Sequence, residues 1–147
     1  LTSAVITTLG LMVGLNSGTR SKMVVLGGIL TIAIADAFSD ALGIHISEES
    51  ENNHTACEIW VSTMATFLAK FFFALTFAVP VLLLPLPEAI LTSLVWGLGI
   101  LTLLSCVIAR AQKEPRWKIV GEHILIAVCV IAITHRLGDW ISTFGAQ

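Results

Sequence analysis

The chain has 147 residues, of which 56% are hydrophobic and 12% are charged, and its formal net charge is −2. Soluble globular domains carry about 25% charged residues, so this composition, with a mean hydropathy of +0.91, excludes an ordinary soluble domain. The few charges form no basic cluster on a soluble module, which argues against nucleic-acid binding. The composition therefore predicts an integral membrane protein in contact with a lipid bilayer.

Long apolar segments separated by short polar connections predict an all-α polytopic protein with five transmembrane helices in a single domain, residues 1–147. A span needs about 20 apolar residues. The predicted spans are residues 1–15, 23–46, 59–84, 90–111 and 119–140. Because 15 residues of helix cover only about 22 Å of a hydrocarbon core about 30 Å thick, we expect the first helix to begin upstream of Leu1.

The connections between the spans differ in charge. Residues 45–58 form a predicted acidic hinge with no Lys or Arg, whereas residues 110–118 hold four such residues, and the opposite face holds three: Arg20, Lys22 and Arg136. Lys and Arg are enriched on the cytoplasmic side of membrane proteins. This count predicts that 45–58 and 110–118 are cytoplasmic.

Two carboxylates lie within the second predicted span. Asp36 and Asp40 are four residues apart and so share one face of a helix. A charged side chain at the bilayer centre costs about 2.5–3.5 kcal/mol, so some interaction must offset that cost. One interpretation is an ion or proton path, since intramembrane carboxylates mark such paths and all-oxygen ligands suit hard divalent cations. The other is a protonated or hydrogen-bonded pair that only holds helices together.

Further candidate metal ligands follow the aspartate pair along the chain. His45 is more than two helical turns from Asp36, so it could join only a second site, closer to the cytoplasm. The hinge adds Glu48, Glu49 and Glu51. These carboxylates would either concentrate cations at the mouth of a path or form a solvated helix end.

Two charged residues are candidate proton or charge partners of the metal. Lys70 in the third span could extend its ammonium to the membrane surface, pair with an intramembrane aspartate, or supply a displaceable positive charge. Glu122 lies at the start of the fifth span, where the helix dipole already favours an acid.

The sequence contains no motif that predicts an enzyme. The Asp-x-x-x-Asp pair resembles half of the metal site of the phosphatidyltransferases that process CDP-alcohols, but the upstream Asp-Gly and Ala-Arg of that site are missing. Nucleophile-elbow, phosphate-loop, zincin and Cys-x-x-Cys patterns are also absent from the sequence. We therefore expect a protein that is not an enzyme and needs no cofactor beyond a transported ion.

Several segments resemble the vacuolar iron transporter family. Residues 8–15 (TLGLMVGL) resemble its glycine-spaced first helix, and residues 29–31, 35–40 (ADAFSD), Gly43 and 47–51 resemble its second helix. Residues 77–87 resemble its proline-ended third helix, and residues 110–138 its basic loop and final helix. The resemblance implies a five-helix homodimer that exports ferrous iron or related divalent metals from the cytoplasm, in exchange for protons, between its two subunits.

The chain departs from the family pattern at the predicted site. A methionine of the family aligns with Asp40, a small residue with Asp36, and an acid with Ile32. Replacing a thioether by carboxylates favours harder ions, such as manganese, calcium or magnesium, over iron. The long cytoplasmic metal-binding helices of the family are also missing, as in its nodulin-like subgroup.

Together these features predict a transporter of a divalent metal of the Fe²⁺ or Mn²⁺ type. Asp36 and Asp40 would hold the ion, with Glu48, Glu49 and Glu51 at the cytoplasmic entrance. We expect it in the plasma membrane of a prokaryote or the vacuolar membrane of a eukaryote. The alternative is a membrane interaction or assembly protein that transports nothing, in which the aspartate pair is structural.

Overall fold

The computed structural model describes residues 1–51 and 53–144, and helices account for nearly all of them. No β-strand occurs in these two ranges. The six helices are α1 (Thr2–Thr19), α2 (Lys22–Glu51), α3 (Ala56–Leu75), α4 (Ala78–Leu83), α5 (Leu86–Gln112) and α6 (Arg116–Ser142). The predicted all-α fold is confirmed.

Four helical segments are long and apolar enough to cross a membrane: Lys22–Glu51, Ala56–Leu83, Leu86–Gln112 and Arg116–Ser142. They correspond to the second to fifth predicted spans and support a multi-pass membrane protein. The second of them consists of α3 and α4 together.

The first predicted span corresponds to α1, which has 18 residues. This helix packs against α2, α3, α5 and α6. Its side chains Val5, Leu9 and Met12 are fully buried. The apolar residues of α1 are spread around its circumference, and such a helix is buried on several sides. The four neighbouring helices provide that burial.

Helices α1 and α6 approach each other closely through their glycines. Gly10, Gly14 and Gly18 recur every four residues along α1 and so lie on one face, and Gly138 of α6 lies against the last two of them. A Cβ at Gly138 would overlap the Gly14 carbonyl oxygen and lie 2.9 Å from the Gly18 nitrogen. Small residues at these positions let the two backbones approach each other, as in other membrane bundles.

The third apolar segment is interrupted between α3 and α4. Proline lacks an N–H, so Pro80 cannot donate to the carbonyl of Thr76. The Thr76 carbonyl instead accepts from the Val79 N–H at 3.3 Å, and the Phe77 N–H bonds to the Ala74 carbonyl at 3.1 Å. The helix is therefore interrupted about one turn before Pro80.

The connection between the second and third spans is shorter than the predicted hinge over residues 45–58, because α2 and α3 extend into this segment from both sides. Residues 45–51 continue α2, which contains no Pro and whose glutamates favour helix. Thr55 begins α3 with a capping box: its N–H donates to Glu58 Oε2 at 2.8 Å, and its hydroxyl accepts from the Glu58 N–H at 3.4 Å. With 30 residues, α2 is about 45 Å long and exceeds a hydrocarbon core of about 30 Å.

The α1–α6 contact predicts a stability difference between two glycines of the same helix. Gly138→Ala should lower the free energy of unfolding by about 1–3 kcal/mol, because the added methyl group overpacks the contact. Gly121→Ala is the matched control, since a Cβ there would have no described atom within 4 Å. The measurement is thermal unfolding of the two purified variants in detergent; equal stabilities would contradict the close packing.

Candidate functional site

Three charged side chains meet between α2 and α3. The ammonium of Lys70 lies 2.8 Å from Asp36 Oδ2 and forms a second ion pair with Asp40 Oδ2. The Lys70 side chain is 3% exposed, whereas Asp36 is 18% and Asp40 41% exposed. We call Asp36, Asp40 and Lys70 the ion triad.

The spacing of residues on α2 explains why both carboxylates reach one ammonium. The buried stripe of this helix recurs every four residues and includes Ala33, Ala37 and Ala41. Asp36 and Asp40 each precede a stripe residue, so they form a parallel row beside it. The small alanines allow neighbouring helices to come close, and α3 carries Lys70 to the middle of that row.

A third partner of Lys70 comes from α1. Its Nζ lies 3.5 Å from Ser3 Oγ, which can accept a hydrogen bond. An ammonium has three N–H donors, and the two carboxylates and this hydroxyl provide three acceptors. Of the three expectations for Lys70, the structure shows pairing with the intramembrane aspartates rather than extension to the membrane surface.

A cavity borders two members of the triad, Asp40 and Lys70. It has a volume of about 610 Å³, and Asp40, Lys70, Ser39 and Thr66 are among the residues that line it. Gly43 also lines this cavity, and it is exposed rather than packed against a helix. Asp40 and Lys70 therefore lie at the wall of this cavity, whereas Asp36 is not among its lining residues.

His45 lies apart from the triad and joins α2 to α3 by another contact. Its Nδ1 is 3.0 Å from Thr63 Oγ1, while the Thr63 hydroxyl lies 2.7 Å from the Ile59 carbonyl oxygen. Because the Thr63 hydroxyl donates to that carbonyl, it can accept a hydrogen bond from Nδ1 of His45. The ring also meets the edge of Trp60, with the ring centroids 4.9 Å apart.

The acidic residues at the end of α2 are dispersed. Glu48 is half-buried, and its Oε2 has no hydrogen-bond partner among the described residues. Glu49 and Glu51 are exposed, and Glu51 Oε2 lies 3.7 Å from His54 Nε2. Within residues 1–51 and 53–144, no group of three or more His, Cys, Asp or Glu residues could hold a metal ion.

Of the six predicted metal ligands, the structure brings together only Asp36 and Asp40, and both face an ammonium. The complete ligand set remains a prediction. Glu122 is exposed on α6 and takes no part in the ion triad. Its neighbour His123 instead joins α6 to α5, with Nδ1 2.7 Å from Ser105 Oγ.

Two polar contacts of α1 were not predicted from the sequence. One is Ser3, whose helix has no charge pattern that points to Lys70. The other is at the opposite end of α1, where the Ser17 hydroxyl donates to Asp139 and His135 Nδ1 lies 3.1 Å from the same carboxylate. The spacing of His135 and Asp139, four residues apart, signals their mutual contact, but nothing in the sequence points to Ser17.

No family model, curated protein or solved structure matches this chain. The resemblance to the vacuolar iron transporters therefore rests on the sequence segments alone and stays a prediction.

Removing the ammonium should destabilise the bundle, because Asp36 and Asp40 would then remain without a cationic partner. Breaking a buried ion pair costs about 3–5 kcal/mol, and we expect Lys70→Met to fall at the lower end because Asp40 is partly exposed. Unfolding of the purified variant in detergent at neutral pH measures this loss. Asp36→Asn/Asp40→Asn/Lys70→Met, which removes all three charges, should recover most of it. A single Lys70→Met variant as stable as the wild type would contradict the triad.

Proposed function

We propose that this protein is a multi-pass membrane transporter that moves a divalent metal ion of the Fe²⁺ or Mn²⁺ type out of the cytoplasm in exchange for protons. The observation that carries the proposal is the convergence of two intramembrane carboxylates, Asp36 and Asp40, on one cationic position. Charged residues inside membranes are expensive, and where they occur they commonly mark ion and proton pathways. The ammonium of Lys70 lies at that position.

The chemistry of the two carboxylates suits the proposed cargo. Their oxygens are hard ligands, which favour manganese, calcium and magnesium and also accept ferrous iron. Protonation of a carboxylate weakens its hold on a metal ion, so a proton arriving from the far side of the membrane would promote release. Lys70 can withdraw because its ammonium is carried on a flexible four-carbon stem beside the 610 Å³ cavity.

The route from the cytoplasm would pass the end of α2. This helix is longer than the hydrocarbon core is thick, so Glu48, Glu49 and Glu51 can extend beyond it and attract cations to the entrance. His45 would follow them toward the membrane as a further ligand. In this proposal α1 also crosses the membrane, which brings the number of transmembrane helices to five. Two copies of the chain form the homodimer implied by the family resemblance.

A second function has one observation in its favour. Lys70 has two ion-pair partners, Asp36 and Asp40, and a hydroxyl contact with Ser3, as expected of a purely structural contact. The protein would then be a membrane interaction or assembly factor, and the ion triad would only hold α1, α2 and α3 together.

Metal-dependent stabilisation separates the two functions. The purified protein is titrated with Mn²⁺, anaerobic Fe²⁺, Zn²⁺, Ca²⁺ and Mg²⁺ while its thermal unfolding is followed. A ligand present at one hundred times its Kd stabilises by about 2.7 kcal/mol. We expect this gain in the wild type and its loss in Asp36→Asn/Asp40→Asn.

The control for this titration is Glu88→Gln, which removes an exposed carboxylate from the first turn of α5 and should keep the full effect. In proteoliposomes, Asp40→Asn should abolish uptake of the stabilising metal while leaving the oligomeric state unchanged. If no divalent ion stabilises the wild type, the transport proposal is wrong and the structural function is favoured.

A further inference from the structure

The position between the two aspartates is filled by a cation that belongs to the protein. Lys70 Nζ contacts Asp36 at 2.8 Å and Asp40 at ion-pair distance, it has Ser3 Oγ at 3.5 Å, and its side chain is 3% exposed. A free cation can reach the carboxylates only by displacing this ammonium. Because the ammonium is tethered to α3, it is present at a high effective concentration at all times.

We infer that Lys70 determines the valence selectivity of the site: as a tethered monovalent cation, it excludes Na⁺ and K⁺ and admits divalent ions. The inference rests on the proposed function, since it assigns a filter to the same metal position. It adds a role that neither the carboxylates nor the acidic entrance can perform, because carboxylates attract cations of either valence.

The charge balance explains the selectivity. Two carboxylates and one ammonium leave the triad with one formal negative charge. Exchange of the ammonium for Na⁺ leaves that charge unchanged, so there is no net electrostatic gain to offset the displacement of a buried ammonium from its two ion pairs. Exchange for a divalent ion neutralises both carboxylates, and the attraction between ion and carboxylates doubles because it scales with the charge of the ion.

The surroundings of Lys70 allow the exchange. The cavity of about 610 Å³ has Lys70 and Asp40 in its wall, and the polar residues Ser39 and Thr66 line the same cavity. A displaced ammonium thus has space and polar groups within the protein. A lysine suits this role better than an arginine, whose planar guanidinium forms bidentate pairs with carboxylates.

The test compares Na⁺ binding in variants that differ in what occupies the position. Thermal unfolding and Mn²⁺ titrations are carried out in about 0.15 M NaCl and in N-methylglucamine chloride of equal ionic strength. In the wild type, the two salts should give the same unfolding temperature and Mn²⁺ affinities within about twofold. In Lys70→Gln, Na⁺ should raise the unfolding temperature and weaken apparent Mn²⁺ affinity about tenfold.

A second variant separates occupancy from net charge. Asp36→Asn/Lys70→Gln has the same formal charge of −1 at the site as the wild type, but no ammonium fills the position. Its formal charge at the site is smaller than that of Lys70→Gln, which leaves two unpaired carboxylates. The double variant therefore serves as the test if Lys70→Gln does not fold. Na⁺ should stabilise it relative to N-methylglucamine, and Lys70→Arg, which keeps a tethered cation, should show no Na⁺ effect.

The outcomes distinguish the inference from the function on which it rests. Mn²⁺ binding to the wild type with no Na⁺ effect in either glutamine variant would overturn the selectivity role of Lys70 and leave the transport proposal intact. If Na⁺ affected the wild type as strongly as the glutamine variants, the selectivity role of Lys70 would also be overturned and the transport proposal would remain. Failure of every divalent ion to bind the wild type would overturn both.

Discussion

The pairing of one buried ammonium with two carboxylates is the interaction on which the arrangement of the first three helices depends. Lys70 is nearly inaccessible, and an uncompensated charge in such surroundings would be strongly destabilising. Its partners come from α2 and α1, so the three helices must keep one relative position to satisfy it. Apolar contacts alone are non-directional and would not fix the helices in this way.

The remainder of the bundle is held by close packing around α1. Glycines on one face of this helix bring α6 against it, and Leu9 on another face packs against the backbone of α5 at Gly97. Ser17 adds a hydrogen bond to Asp139 at the end opposite the ion triad. The first helix is therefore fixed at both ends by polar contacts and along its length by van der Waals packing, which is the main cohesive force between helices in a membrane.

The same ion triad that stabilises the helices also suggests how the protein could act. A stable structure needs the ammonium in place, whereas cation binding needs it displaced, so the two states would compete for the same carboxylates. The competition is useful to a transporter because the site is never left as two unpaired negative charges within the bilayer. Binding of cargo, withdrawal of Lys70 and protonation of the carboxylates would then be alternative ways to satisfy one charge requirement.

The sequence by itself determined the fold class and most of the helices, because a long run of apolar residues in water-poor surroundings can satisfy its backbone only as a helix. It also identified Asp36, Asp40 and Lys70 as charged residues within apolar spans. The free-energy cost of such a charge depends on its depth in the membrane, which the sequence indicates without knowledge of its neighbours. It did not predict that α2 extends through residues 45–51, where polarity suggested a hinge although glutamates continue a helix readily. Only the tertiary structure decided that Lys70 lies between the two aspartates and that Ser3 joins them, because contacts between residues 30 to 67 positions apart depend on how helices pack.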